Sequence, residues 1–104
     1  MAAEEEELPG RGREEWSEES GRYVMSVAVS LTGVDAYRIR RYEAAGLVRP
    51  VRTAGGQRLF SDREIRRIRE VARLEGEGVN LKGILVILRM RNGATESHGA
   101  VKNP

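Results

Sequence analysis

The order of apolar and polar positions predicts two short helices joined by a glycine turn. The first begins at Ser26, whose hydroxyl can accept from the free amides of the first turn, and ends at Gly33. Its shared apolar face is predicted to be Val27, Ala28 and Leu31. The second helix runs over residues 35–45, with Asp35 as its N-cap and Gly46 after its last turn. Two helices in this arrangement predict a helix-turn-helix.

A β-hairpin is predicted directly after the second helix. Residues 51–53 and 57–60 are two short extended runs, and the turn 54–56 between them holds two glycines that can both take positive φ. Pro50 prevents the helix from restarting before the first strand. A hairpin that follows a helix-turn-helix is typical of a wing.

Two further helices complete the pattern. Ser61 and Glu64 have the spacing of a capping box for the third helix. Its apolar stripe is Ile65, Ile68, Val71 and Ala72. Asn80 is the predicted cap of a fourth helix, which we expect to end soon after Met90 because Gly93 and a polar segment follow. The sequence therefore predicts a mostly α fold, a winged helix-turn-helix with a small β-hairpin wing and two further helices.

The fourth helix carries more apolar residues than one narrow stripe needs. They are Leu81, Ile84, Leu85, Ile87 and Leu88. Either this cluster belongs to the intramolecular core or it contacts a partner chain.

The pattern divides the chain into one small domain between two polar tails. Residues 1–21 lack apolar periodicity and are expected to be an acidic disordered tail, because such a segment buries too little surface to offset its ordering entropy. Residues 22–91 form the predicted folded domain. Residues 92–104 are rich in small polar residues and are expected to be a flexible C-terminal tail.

The distribution of charge along the chain supports the division between the first tail and the domain. The chain has 18 Lys and Arg against 16 Asp and Glu, but residues 1–21 carry eight glutamates and two arginines, a net charge of −6. Residues 22–91 carry fifteen basic and seven acidic residues, a net charge of +8. The field of such a basic block attracts polyanions, of which nucleic acid is the commonest.

Composition excludes several other function classes. The chain has no cysteine and one histidine, His98, so no disulfide framework, metal site or histidine-dependent catalytic triad is expected. No apolar run approaches the ~20 residues of a membrane span, and the first residues are acidic, unlike a signal peptide. We therefore expect a cytoplasmic protein that is not an enzyme and has no catalytic residue, metal, cofactor or membrane partner.

Three stretches of this sequence resemble the MerR family of bacterial transcription regulators. They are SVAVSLTGV at 26–34, RRYEAAGLV at 40–48 and RTAGGQRLFS at 52–61, and the resemblance covers residues 23–90. The string EGVNLKGI at 77–84 is similar to the HspR-like subgroup, repressors of heat-shock chaperone operons that act in the stress response.

This resemblance implies a winged head that binds double-stranded DNA. The recognition helix 35–45 would enter the major groove and the wing 51–60 would contact the flanking backbone. The recognition-helix residues are Tyr37, Arg38, Arg40, Arg41 and Tyr42, and the wing residues are Arg52, Thr53, Gly56, Gln57 and Arg58.

The chemistry of these side chains separates the residues expected to contact bases from those expected to contact the DNA backbone. Tyr37 and Arg41 lie four residues apart and therefore share one stripe of the helix. An arginine can donate two hydrogen bonds to the O6 and N7 atoms of a guanine. We therefore expect Tyr37, Arg38 and Arg41 to contact the bases. Arg40 matches a position at which the family contacts the DNA backbone. Tyr42 either reaches a phosphate or belongs mainly to the core. The alternative for all the helix arginines is an ordinary solvated face.

The expected function is a transcriptional repressor that acts by promoter occupancy. The family's usual long dimerisation helix is missing from the predicted elements, so a homodimer and head-to-tail copies on DNA both stay open. Within the HspR branch the resemblance also implies a DnaK-type chaperone as co-repressor.

Two other functions and one regulatory role stay open at this stage. The same winged head serves architectural or recombination-accessory proteins of the excisionase kind. The basic face could instead belong to a protein-interaction module that binds an acidic partner or a chaperone. The glutamates of residues 1–21 could fold back on the basic face and compete with DNA.

Overall fold

The structure, a computed structural model, describes residues 17–96. The predictions for residues 1–16 and 97–104, including His98, lie outside the described residues. The elements are helices α1 (Met25–Thr32) and α2 (Ala36–Ala44), strands β1 (Val51–Arg52) and β2 (Arg58–Leu59), and helices α3 (Asp62–Gly76) and α4 (Leu81–Glu96). In the described part of the chain this is the predicted fold, four helices with one antiparallel hairpin.

Helix α1 differs from its prediction in its cap and in its buried face. Its N-cap is Val24, which offers no side-chain hydrogen bond, and Ser26 is exposed in the first turn. Ala28 is buried, whereas Val27 and Leu31 are exposed, so the predicted apolar face is wrong. Because most positions of this short helix are apolar, the periodicity selects no face, and packing against α3 decides which one is buried.

The turn between α1 and α2 follows its prediction. Gly33 ends α1 with φ of 75°, a left-handed conformation that favours glycine. Asp35 caps α2, and its carboxylate accepts a hydrogen bond from the Arg38 amide at 2.8 Å. Gly46, with φ of 81°, then lets the chain leave α2 towards the hairpin.

The wing is a short hairpin in which Val51 pairs with Leu59 and Arg52 pairs with Arg58. Of its two glycines only Gly56 takes a positive φ, 87°, so the expectation of two positive-φ positions is wrong. The Thr53 carbonyl accepts from the Gly56 amide at 2.8 Å and closes the turn.

The caps of α3 and α4 are the predicted ones. The Ser61 hydroxyl accepts from the Glu64 amide at 3.0 Å, and the Asn80 side chain accepts from the Gly83 amide at 2.8 Å. Helix α4 continues to Glu96, so the expected end soon after Met90 is wrong. A glycine inside a helix costs about 1 kcal/mol relative to alanine, which weakens a helix without ending it.

The core lies between α3 and the other helices. Its largest fully buried side chains are Tyr42, Phe60, Ile39, Leu47, Ile68 and Ile84. Ile84 and Leu88 of α4 are buried in this core, which supports the intramolecular alternative for the apolar cluster of that helix. Val86 and Met90 remain exposed on its opposite side.

The segment before α1 is hydrogen-bonded to the start of α3. The Tyr23 hydroxyl donates to Asp62 at 2.6 Å, and Tyr23 pairs with Phe60 in an isolated β-bridge. Glu18 and Glu19, which we expected in the disordered tail, bind Arg66 and Arg63 of α3, each at 2.7 Å. These pairs hold residues 17–21 against the domain.

Candidate nucleic-acid interface

Helix α2 is held in place by its buried face and presents its opposite face to solvent. Ile39 and Tyr42 are fully buried against the core. Tyr37 is 66% exposed and Arg40 is exposed as well, and among the described residues neither makes a hydrogen bond or an ion pair. Two of the predicted contact residues are therefore available to a ligand on the solvent side of the helix.

The other two arginines of α2 turn towards α3. Arg41 contacts the Glu75 carboxylate at 3.2 Å, and Arg38 lies 3.6 Å from the same group. Both guanidinium side chains remain about one third exposed. Of the three residues expected to read bases, Tyr37 is thus free among the described residues, whereas Arg38 and Arg41 are held by a carboxylate.

Tyr42 is a core residue whose hydroxyl is used within the protein. It donates to Glu75 at 2.8 Å and accepts from Arg38 at 3.1 Å. Burial and the hydrogen bond to Glu75 raise the pKa of Tyr42 above its ordinary value, which keeps the hydroxyl protonated as a donor. Of the two alternatives for this residue, the geometry favours the core.

Glu75 stays ionised in this arrangement. Burial opposes its charge, but the hydrogen bonds from Tyr42 and Arg41 and the charges of Arg41 and Arg38 outweigh that cost. The pKa of Glu75 is therefore below its ordinary value.

Glu43 connects α2 to the wing. Its carboxylate accepts from Arg58 at 2.7 Å and lies 3.4 Å from Arg52, so one acidic group serves both strands of the hairpin. Arg52 also donates to the Gly56 carbonyl at 3.0 Å. These contacts fix the spacing between α2 and the wing.

The wing tip contains the remaining predicted residues. The half-buried Thr53 hydroxyl accepts from the Gln57 amide at 3.1 Å, which stabilises the turn. Gly56 and the Gln57 side chain are exposed.

An open cleft lies between α1, α2 and the wing. Its lining residues are Val24, Met25, Ser26, Arg40, Gly56, Gln57 and Arg58. The first amides of α1 have no side-chain cap, and unpaired helix N-terminal amides favour anions. Together with Arg40 and Arg58 they make this cleft a suitable place for a phosphate group.

The arginines of α3 belong to surface contacts of a different kind. Arg63 and Arg66 pair with Glu19 and Glu18, and Arg73 pairs with Glu77 one turn further along. Both partners of each pair are more than half exposed, and such pairs stabilise proteins by ~0–1 kcal/mol. For these three arginines the solvated alternative describes the contacts better than a nucleic-acid role. Arg67 and Arg69 of the same helix instead donate to the backbone carbonyls of Leu47 and Leu31, at 3.3 and 2.9 Å.

Sequence reasoning missed Glu43, Glu75 and the first turn of α1. Glu43 carried a weak signal, as the one acidic residue of the predicted helix besides its N-cap Asp35. Glu75 carried none, because it lies 33 or more residues from the side chains that it contacts. Within residues 17–96 no cluster of His, Cys, Asp and Glu could hold a metal ion, and no helix there is long and apolar enough to cross a membrane.

Residues 23–91 match the family described as MerR HTH family regulatory protein. The putative heat shock protein HspR of Streptomyces coelicolor is 41% identical over 92 residues, covering 86% of this chain and 61% of that protein. The HTH-type transcriptional regulator GlnR of Bacillus cereus is 36% identical over 75 residues, covering 72% of this chain and 58% of that protein. The chain thus spans about three fifths of the length of the curated relatives that it matches.

A solved structure shares the fold. HiNmlR, a MerR family regulator lacking the sensor domain and bound to promoter DNA, superposes with a TM-score of 0.60 at 24% sequence identity. The superposition covers 78% of this chain and 68% of that one.

Proposed function

This chain belongs to the MerR HTH family of regulatory proteins, and from that premise we propose that it is a sequence-specific, double-stranded DNA-binding transcription regulator. It represses by occupying its promoter. The observation that carries the proposal is the shared surface of α2 and the wing, where the exposed Arg40 and the wing's Arg58 line one open cleft.

Base readout comes from α2. A helix fits the major groove of B-DNA, where an arginine can fork onto the O6 and N7 atoms of guanine. Arg38 and Arg41 supply such groups, and the exposed Tyr37 can pack against a thymine methyl or reach a phosphate. These three residues determine the preferred sequence.

Contacts to phosphates set the register of the protein on DNA. Arg40 and the wing residues carry them, and the first turn of α1 adds uncapped amides beside the same cleft. The wing residues are Arg52, Thr53, Gly56, Gln57 and Arg58. Tyr42 supports this surface from within the core, through its bonds to Arg38 and Glu75.

The likeness to HspR, which is described as a putative heat shock protein, supports a role in the stress response. The promoter DNA bound by HiNmlR supports a promoter as the target. We further propose that the protein acts on the nucleoid in the cytoplasm, as a homodimer or as head-to-tail copies. The sequence resemblance to the HspR branch makes a DnaK-type chaperone its candidate co-repressor.

Selection of bound fragments from the host's own sheared DNA, at physiological salt, tests the proposal. A sequence-specific regulator should enrich one motif, because specific sites are bound ~10³-fold or more tightly than other DNA. Inverted half-sites in that motif would indicate a two-fold dimer, and direct repeats would indicate head-to-tail copies. A selection without any enriched motif would refute sequence-specific regulation.

Two further readouts separate the repressor from its alternatives. A repressor should lower transcription in vitro from a promoter that contains the motif. Several copies that bend DNA without affecting transcription would favour an architectural or recombination-accessory protein. Tight binding to a protein together with weak, sequence-independent DNA binding would favour an interaction module.

A further inference from the structure

Glu75, in the last turn of α3, contacts three side chains of α2. Its carboxylate accepts from the Tyr42 hydroxyl at 2.8 Å and from Arg41 at 3.2 Å, and it lies 3.6 Å from Arg38. Three side chains of α2 therefore converge on one carboxylate of a neighbouring helix. Arg38 is also bonded to Tyr42 at 3.1 Å, so the four groups form one connected network.

The network leaves part of each arginine available. The contacts of Arg41 and Arg38 with their partners all use Nη2. A guanidinium has five N–H donors in a rigid plane, so holding one edge fixes the direction of the others. Both side chains are still about one third exposed, which leaves the remaining donors within reach of a ligand.

This arrangement differs from that of a phosphate-contacting arginine. Arg40, on the same helix, makes no ion pair among the described residues, and its long side chain can follow any nearby phosphate. Recognition of a base edge instead needs a guanidinium in one orientation, because its two hydrogen bonds must be made together.

We propose that Glu75 is a specificity-determining positioning residue, which orients Arg41 directly and Arg38 through Tyr42 so that their free donors meet a base edge. This inference rests on the proposed function, because it assigns the mechanism by which the same surface discriminates between sequences.

A purely electrostatic role for Glu75 makes the opposite prediction. A carboxylate beside the DNA-binding surface repels phosphates, so its neutralisation would tighten binding to every sequence alike. In the positioning role, disruption of the network weakens binding to the preferred sequence relative to all others. The ratio of the two affinities therefore separates the roles.

The test uses the full chain and three variants. Glu75→Asp keeps the charge but shortens the side chain by one methylene group, and Glu75→Gln removes the charge. Glu77→Gln is the matched control, because Glu77 lies two residues away and its carboxylate pairs with Arg73 outside the network. Selection from a random-sequence duplex library first defines the motif of the wild type. Titrations with that duplex and with a scrambled duplex then give the affinity ratio.

In Glu75→Asp we expect an affinity ratio about tenfold smaller than in the wild type, with unchanged binding to the scrambled duplex, since one bidentate contact to a base supplies discrimination of this order. Glu75→Gln should show a similar loss and tighter binding to the scrambled duplex. Glu77→Gln should keep the wild-type ratio. Selection with Glu75→Asp should also enrich a motif that is degenerate at the guanine position.

Unchanged ratios in both Glu75 variants would overturn the inference and leave the proposed function intact. Tighter binding of Glu75→Gln to both duplexes, with the ratio preserved in Glu75→Asp, would assign Glu75 the electrostatic role instead. If the wild type selects no motif, the proposed function itself fails. Thermal unfolding of each variant identifies any that does not fold, and Glu75→Asp, the milder change, then decides the question.

Discussion

Each pair of interface arginines is served by one carboxylate. Glu43 binds Arg52 and Arg58 of the wing, and Glu75 binds the two arginines that α2 turns towards α3. A guanidinium that is already held loses less rotational freedom when a ligand binds, so these acidic residues pre-organise the surface. Arg40 has no such partner among residues 17–96 and is the most adaptable of the proposed contacts.

Substitution of Arg41 by alanine should weaken binding to the preferred DNA sequence. We expect a loss of ~1–3 kcal/mol and a relaxed preference at one base pair, because a bidentate contact to a guanine is removed. Repeating the selection with the variant and titrating the wild-type motif measure both effects. An equal loss of affinity on all sequences would contradict a base-reading role.

Substitution of Arg58 by alanine should weaken DNA binding without changing the sequence preference. All sequences should be bound more weakly by a similar factor, and the slope of log affinity against log salt should become flatter by about one unit, because one phosphate contact is lost. Arg73→Ala is the matched control, since it removes the same charge from α3, where Arg73 pairs with Glu77. The assignment fails if both variants show the same salt slope.

Among the elements, the wing has the fewest packing contacts to stabilise it, and α3 is the most extensively packed. The two wing strands are only two residues long, and most of the tip between them is exposed. Such an isolated hairpin has little stability of its own, so its shape depends on Glu43 and on the turn. Helix α3, by contrast, buries Ile65, Ile68 and Val71 and contacts every other helix.

The conformation of the wing turn can be tested with adjacent glycines. Gly56 has φ of 87°, so Gly56→Ala should strain the turn by about 1–2 kcal/mol and weaken DNA binding. Gly55→Ala is the control, because Gly55 lacks a positive φ and an added Cβ would lie 3.9 Å from the Thr53 hydroxyl, an ordinary contact. Affinity titrations and thermal unfolding compare the two. Equal effects on DNA binding would show that the turn conformation is not what matters.

At the scale of the whole domain, α3 joins the segment before α1 to helix α2. Its first residue, Asp62, accepts from Tyr23 at 2.6 Å and from Arg22 at 2.9 Å, and its last turn carries Glu75, the acceptor for α2. Small domains have a low free energy of unfolding, so we expect loss of either contact to lower the stability of the whole domain.

Stability should decrease in acid because both of these carboxylates are ionised in the folded state. The hydrogen bond from Tyr23, opposed by burial and aided by the charge of Arg22, lowers the pKa of Asp62 below its ordinary value of 3.8. The pKa of Glu75 is likewise below its ordinary value of 4.5. A lowered pKa stabilises the fold above the unfolded-state value, and this stabilisation is lost as the pH falls through the folded-state value.

Thermal unfolding measured from neutral pH down to about pH 3 checks this expectation. The unfolding temperature of the wild type should fall through the acid range, and Asp62→Asn should show a shallower fall. Glu70→Gln, which removes an exposed pair with Arg91, is the control. The same pH profile in Asp62→Asn and in the wild type would contradict the assignment.

The sequence by itself determined which stretches form helices, the caps of three of those helices and the hairpin. Asp35, Ser61 and Asn80 are caps as predicted, because a cap is a hydrogen bond to an amide only three residues away. Such local rules, together with the conformational freedom of glycine, can be read along the chain. The sequence also predicted the wing, which the two-stranded hairpin confirms. Its resemblance to the MerR family is confirmed by the family match.

Only the tertiary structure decided how the interface side chains are held. Packing between elements decided that Ala28 of α1 is buried and Val27 is exposed. It also brought Glu43 to both wing arginines and Glu75 to the side chains of α2. Which side chains meet depends on the distances between packed helices, and the core sets those distances as a whole. A local sequence pattern does not contain these distances. The sequence therefore predicted which arginines form the proposed interface, and only the fold determined the partners of those arginines.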